Sequence, residues 1–411
     1  LRCYDPATGY TRDRAHWPVL DFDSVPAFGE QALGAACAAQ LGVISQVDAI
    51  AIARKSIAVL LSVPRHASGW LPHWIKNGAR HPDSEWSTVD TSIALLSAIQ
   101  AAGMLDLPDE LADLQAAVDG LDFVATTLST TNALSYGFTT TNTLIPYAWT
   151  NWGAESGLAL TLRAYQNPAL PDLYWEHLPP QYGGRGFIIE LGALLVPQFG
   201  ATNAGPDKWA VNWHDERLAH YADQQAYRAT PYGWSGSVGE IISGEGTGTV
   251  AGATGYGEGG IGTLTESAAD TFVGFDGPWY MPHYRMMAAA LDLNGAGALI
   301  ARMQADGLMP PLSGPPESMI IDGAGAVTRW HSMQGSLNAW FNTMGLYHAI
   351  VQSETLRDTV YETVASDGRL QDALLTMFPA LPNRAPEARD GTAVGIAGTN
   401  VTGLLNGYDP D

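Results

Sequence analysis

Positive charge is scarce in this 411-residue chain: 20 Lys and Arg stand against 42 Asp and Glu, a formal net charge of −22. Such a surface repels the phosphate backbone of nucleic acids and anionic lipid headgroups, so neither is expected as a partner. Cysteine is scarcer still. Cys3 and Cys37 offer no metal-ligand spacing and no disulfide framework, which leaves one bridge or two separate thiols open. No apolar run is long enough to span a bilayer. No His pair carries a zinc-like partner set. The glycine-rich GEGTGTVAGATGYGEGG lacks the Lys of a phosphate loop, and no G-x-S-x-G elbow occurs. The expectation is therefore of no cofactor and no metal ligands, with a structural calcium left open. The chain opens at Leu1 rather than Met, and a secreted or periplasmic protein is expected, its signal peptide lying outside this sequence.

What is present is a large apolar fraction, 46%, with 13 Trp and charge reduced to 15%. The usual charged share is about a quarter. The most informative stretch runs from Gly69 to Leu105. Its first half is a loop of Trp, His, Gly and Pro. From Val89 onward it reads as a helix apolar on nearly every face, which places it in the interior. Glu85, Trp86 and Asp90 stand at its mouth.

Other segments repeat this contrast. Residues 26–42, 88–102 and 151–166 are small, apolar and almost uncharged, whereas 46–62 and 108–128 carry a solvated face. Ser45 with Asp48 reads as a helix cap. Further helices are expected at 186–200, 212–229, 281–293, 296–306, 334–351 and 354–377. The glycine-rich 232–262 shows no convincing period and reads as a long functional loop. Helices in inner and outer pairs, with no regular strand pattern, predict an all-α fold. The specific expectation is an (α/α)6 toroid, a double ring of helices with long loops on the active-site face. Residues 1–378 would form that single domain, and 379–411 an extended tail upon it. A helical solenoid is disfavoured by the lack of a repeat at fixed period.

SEWSTVDTSIALLSAI (84–99) resembles a segment of the glucoamylase-like (α/α)6 proteins, a group that includes bacterial endo-β-1,2-glucanases. DPATGYTRDR (5–14) resembles that family's N-terminal arm, and VPAFGEQALGAACAAQLGVIS (25–45) its first helix. WTNWGAESGLAL (149–160) is similar to its third inner helix, and QGSLNAWFNTMGLYHAI (334–350) to its penultimate one. The likeness covers most of residues 1–165 and becomes patchy beyond, with 179–210 and 232–262 departing from it. It implies a carbohydrate substrate.

Hydrolysis of a glycosidic bond requires a carboxylic acid on the leaving oxygen and a carboxylate on the opposite side of the ring. Glu85, Asp90 and Glu155 are the candidates. Glu85 sits among Trp74, Trp86 and Pro82 with no cation within four residues, so its proton is expected to be retained near neutral pH. Asp90 is equally well explained as a capping residue in the first turn after Ser87. Glu155, rare in an apolar helix, either works or pairs with Arg163. His73, Trp74, Trp86, Trp149, Trp152, Asp215, Trp279, Tyr280, Trp330 and His331 lie in loops ahead of inner helices, where indoles would stack on sugar faces. The same Trp residues also suit anchors on the rim.

These readings converge on a glycoside hydrolase acting on a glucan or related polysaccharide. Two alternatives remain. A polysaccharide lyase would use Tyr280, His283, Arg329 and His331 on a uronate, which the acidic chain would repel. A glycan-binding or surface-assembly protein would keep the helices and lack the acid. Oligomeric state is unassigned.

Overall fold

The computed structural model describes residues 3–13, 22–149, 156–168, 186–196, 213–227, 244–250, 253–259, 279–280, 282–309, 315–316, 318–321, 326–331, 336–351 and 368–377. Two interior helices dominate the N-terminal part. Helix α1 (Val25–Gln40) starts with Pro26 in its first turn, and its first 13 residues are all buried, Glu30 among them. Helix α3 (Thr88–Met104) is buried on every face. Its start is fixed by Ser87, whose side chain accepts from the Asp90 N–H at 3.2 Å, satisfying one of the donors that a helix leaves open. The two helices touch backbone to backbone: a Cβ on Gly29 would lie 2.0 Å from the Ala94 carbonyl oxygen. That approach is why a glycine interrupts a good helix former.

Helix α2 (Gln46–Ser62) is capped by Ser45, which accepts from Asp48 N at 3.1 Å. Helix α4 (Pro108–Asp119) begins on Pro108 with Asp109 and Glu110 in its first turn, where the helix dipole favours them. It ends before Gly120, short of the expected 128, because 127–134 turns into a small hairpin of Thr127–Leu128 and Ala133–Leu134. Beyond it lie α5 (Ser156–Gln166), α6 (Gly186–Leu195), α7 (Trp213–Tyr227), α8 (Pro282–Met287), α9 (Leu293–Ala305), α10 (Ser336–Val351) and α11 (Gly368–Met377). The expected helix 281–293 breaks after Met287 into a tight turn, and Asp292 caps α9 through Gly295 N at 2.8 Å.

Contacts pass from α1 to α3, α5, α6, α8 and α10, and from α10 back to α1. Helices α2 and α4 cover α1, α3 and α5. The last described helix, α11, packs on α5, where the Arg369 guanidinium bonds Asp119 Oδ1 at 2.6 Å and lies 4.7 Å over the Tyr165 ring. One main core joins α1 to α6 with α10 and α11, and a smaller one joins Met286, Leu299, Met303 and Met319.

Strands are more prominent than expected. Gly244–Val250 pairs antiparallel with Ala253–Gly259 along seven residues inside the presumed loop 232–262. Ser318–Ile321 pairs with Val327–His331 and with Trp279–Tyr280. No bridge joins Cys3 to Cys37, which is buried in α1. Among the described residues no helix is long and apolar enough to cross a membrane. The expected tail 379–411 and all of 354–367 lie outside the described residues.

Candidate active site

Short strands bring the starts of α1 and α3 together. Asp23–Ser24 pairs with Trp74–Ile75, and Leu71–Pro72 pairs with Trp86–Ser87. Trp86–Ser87 pairs in turn with Gly137–Phe138, where Gly137 (φ +133°) lets the strands approach. His73 sits between these pairings. Its N–H donates to Glu85 O at 3.2 Å and its carbonyl accepts from Val25 N at 2.9 Å. The residue is thus pinned where both interior helices begin.

Its ring meets a carboxylate on each nitrogen. Nδ1 lies 3.2 Å from Glu85 Oε1, and Nε2 lies 3.6 Å from Asp90 Oδ1. The Trp74 indole stacks on the imidazole at 4.0 Å between centroids. Burial alone would drive the proton off His73, but Asp90, Glu85 and Asp13 outweigh it and raise the pKa to about 9. The ring is therefore an imidazolium at neutral pH.

The carboxylates respond in opposite ways. Burial favours the neutral form of Glu85, yet the hydrogen bond and charge of His73 prevail and lower its pKa below the ordinary value. This corrects the expectation of a retained proton there: the cation is twelve residues away in sequence and in contact in space. Asp90 lies deeper, and burial wins over His73 and Ser87, so its pKa is raised. The capping reading of Asp90 also holds through its backbone N–H to Ser87, while its carboxyl faces His73 and is hydrogen-bonded by the Ser87 side chain.

A fourth group was missed as a site residue. Glu30, the only charge in α1, is fully buried, and neither carboxylate oxygen has a hydrogen-bond partner among the described residues. Burial, with Asp90 adding repulsion, raises its pKa well above the ordinary value and so favours the neutral acid. The signal was legible: a single carboxylate inside an otherwise uncharged, buried helix.

The aromatic candidates divide. Trp74 belongs to the cluster. Trp86 is almost entirely buried, donates its indole N–H to Asn142 Oδ1 at 2.8 Å and lies 5.2 Å beneath the Arg80 guanidinium, so it anchors the loop. Trp149 donates to Thr88 Oγ1 at 2.9 Å, at the start of α3. Asp215 is exposed on α7, which packs on α6. The backbones of Trp279, Tyr280, Trp330 and His331 share one three-stranded sheet, Tyr280 and Trp330 both opposite Met319. Glu155 and Trp152 lie outside the described residues. His283 is buried against Phe341 and burial lowers its pKa to about 3, which suits a packed neutral ring rather than a proton carrier.

His73, Glu85 and Asp90 each offer one ligand atom, all within 4.8 Å of one another. The sequence reading named no metal ligands, and this trio has the spacing of one. A metal would require His73 neutral and would compete with the imidazolium whose two nitrogens now face Glu85 and Asp90.

No family model matches the chain, and no curated protein matches its sequence. Solved structures do. A provisionally assigned glucoamylase from Bacteroides caccae superposes with a TM-score of 0.68 at 12% identity, covering 91% of this chain and 94% of that one. An endo-β-1,2-glucanase from Chitinophaga pinensis, in complex with sophorotriose and glucose, gives 0.68 at 13%, covering 92% and 95%. An endo-β-1,2-glucanase from Talaromyces funiculosus, with sophorose, gives 0.57 at 15%, covering 92% and 88%. The chain has the fold of these proteins. They are the group that its N-terminal motifs resemble.

Proposed function

We propose that this protein is a glycoside hydrolase on an (α/α)6 toroid, cleaving a glucan or related polysaccharide outside the cytoplasm. The cycle of contacts from α1 round to α10 and back supports the toroid, with residues 1–378 as its single domain. The observation that carries the chemistry is Asp90. It is a largely buried carboxyl biased toward its protonated form, opening beside a charged His73–Glu85 pair at the start of two interior helices. A bond-breaking acid needs that bias, because a carboxyl already ionised has no proton to give.

In this reading Asp90 donates its proton to the glycosidic oxygen as the bond to the anomeric carbon breaks. A water adds to that carbon and gives its proton to an ionised carboxylate on the other side. The sequence offers Glu155, outside the described residues, for that second role. The His73–Glu85 pair holds Asp90 in place and fixes the local charge. Glu30, its pKa raised by burial and by Asp90, adds no further fixed negative charge beside Asp90.

The test is the release of new reducing ends from a panel of neutral glucans of different linkage. Turnover of at least one is expected. Binding without release from any would shift the reading to a glycan-binding protein. His283, buried and neutral, removes one of the four groups on which a lyase would rely.

A further inference from the structure

His73 has to serve two carboxylates with one rigid ring. Nδ1 reaches Glu85 Oε1 at 3.2 Å, and Nε2 faces Asp90 Oδ1 at 3.6 Å. Both are met only while the ring keeps one plane. The torsion that turns that plane, about the bond from Cβ to the ring, is soft. Contacts at the two edges resist such turning weakly, whereas a wall along the ring's face resists it directly.

That wall is Trp74. Its indole lies 4.0 Å from the imidazole between centroids, with the two planes 24° apart. Trp74 is itself held from several sides. Its N–H donates to Ser84 Oγ at 2.9 Å, and its carbonyl accepts from His81 N at 3.0 Å. It pairs with Ser24, the residue that leads into α1. Phe22 packs on the indole at 5.4 Å, and His81 packs on Phe22 at 5.3 Å. Four rings thus follow one another from His73 to His81. The indole also suits the charge it meets. Its π face is electronegative and attracts an imidazolium more than a neutral imidazole. The other charges acting on His73 are Asp90 of α3, Glu85 of the loop before it and Asp13 of the N-terminal arm, with Arg80 acting on Glu85. An indole face given to the imidazole is closed to a sugar, which sets Trp74 apart from the platform role that its loop position suggested.

We propose that Trp74 is a positioning residue, whose indole holds the His73 ring in the plane that presents one nitrogen to Glu85 and the other to Asp90. Its effect on turnover rests on the reading of Asp90 as the acid. Its effect on His73 does not.

NMR titration of the His73 imidazole in the whole chain separates the two. EDTA is included so that no metal competes for the ring. The wild-type midpoint is expected at about 9. Trp74→Leu occupies space without a π face and should lower that midpoint by about one pH unit. Trp74→Phe should restore most of it, and Trp74→Met replaces the leucine variant if that one does not fold. On a glucan that the wild type cleaves, Trp74→Leu should lower kcat by roughly tenfold with KM unchanged, and Trp74→Phe should recover most of the loss. An unmoved midpoint in the leucine variant overturns the proposal. A raised KM with kcat intact also overturns it, and makes the indole a sugar platform after all. Absence of cleavage by the wild type sinks the acid reading alone, and the midpoint still decides the role of Trp74.

Discussion

Glu30 and Glu190 are both fully buried carboxylic acids whose pKa burial raises, and they differ in what stands beside them. Glu190, on α6, receives the Arg217 guanidinium in a fork, 2.6 and 2.8 Å to the same oxygen. Glu30, on α1, has no partner for either oxygen among the described residues and keeps its proton instead. A buried carboxylate tied to a fixed cation is architecture, because removing either member strands the other. One left without a cation is pushed toward its neutral form by burial. The unpaired acid feels the charge of Asp90, whereas the paired one joins α6 to α7.

The sharpest way to break this contrast is at Asp90. Asp90→Asn keeps shape and loses the proton, so turnover of an unactivated glucan should fall by about 10²- to 10⁴-fold, mainly in kcat. An activated aryl glycoside should suffer less. Equal activity on both would remove Asp90 from the chemistry. Arg217→Met should destabilise the protein by about 3–5 kcal/mol in denaturant unfolding, and Arg217→Met with Glu190→Leu should recover most of it. A cost within error for the single change would mean that the fork holds nothing together.

Glu30→Gln probes the other half. A folded pKa above the unfolded value gives stability that is full below the unfolded pKa and fades as pH rises through the folded one. The variant escapes that loss, so its melting temperature should match wild type near pH 4 and exceed it increasingly toward pH 8. Parallel curves would show that Glu30 is not protonated.

His73 follows the same sign, with its pKa raised to about 9. Its contribution should be complete below about pH 6.5, the unperturbed value, and disappear as pH rises through 9. Glu85→Gln should bring the imidazole's NMR titration midpoint down. The smallest effect expected is that of EDTA on activity, which is none. Loss restored by adding a divalent ion would turn the trio of His73, Glu85 and Asp90 into a metal centre.

The N-terminal helices were legible because interior position leaves a plain trace. A segment apolar on all sides has nowhere else to go, and α1 and α3 lie within two residues of their expected limits. Ser45 and Ser87 marked their helix starts for a similar reason: a hydroxyl one turn ahead of an acid is a local signal. The hairpin at 244–259 left no such trace. Its alternation sets glycine against polar residues, so the two-residue period carries no hydrophobic contrast. At the site, His73, Trp74, Glu85 and Asp90 were found together because one loop carries them. The proton on Glu85 was misassigned because distance was counted along the chain, and the strands fold His73 back onto it. Glu30 arrives from a different helix, and only the packing of α1 on α3 brings it close.

The placement of α11 bears on how the molecule is made. Its apolar side, with Leu370, Ala373, Leu374 and Met377, joins the main core and lies against α5. A ribosome delivers α5 long before Gly368 emerges, so that face of α5 waits, uncovered, through much of synthesis. Local helix pairs such as α1 with α2 assemble early, since their partners arrive close together. Closure on the α5 side is deferred to the end, and a chain cut short before α11 would carry a sticky wall. Stop codons upstream of Gly368 should therefore yield aggregates rather than a smaller working enzyme.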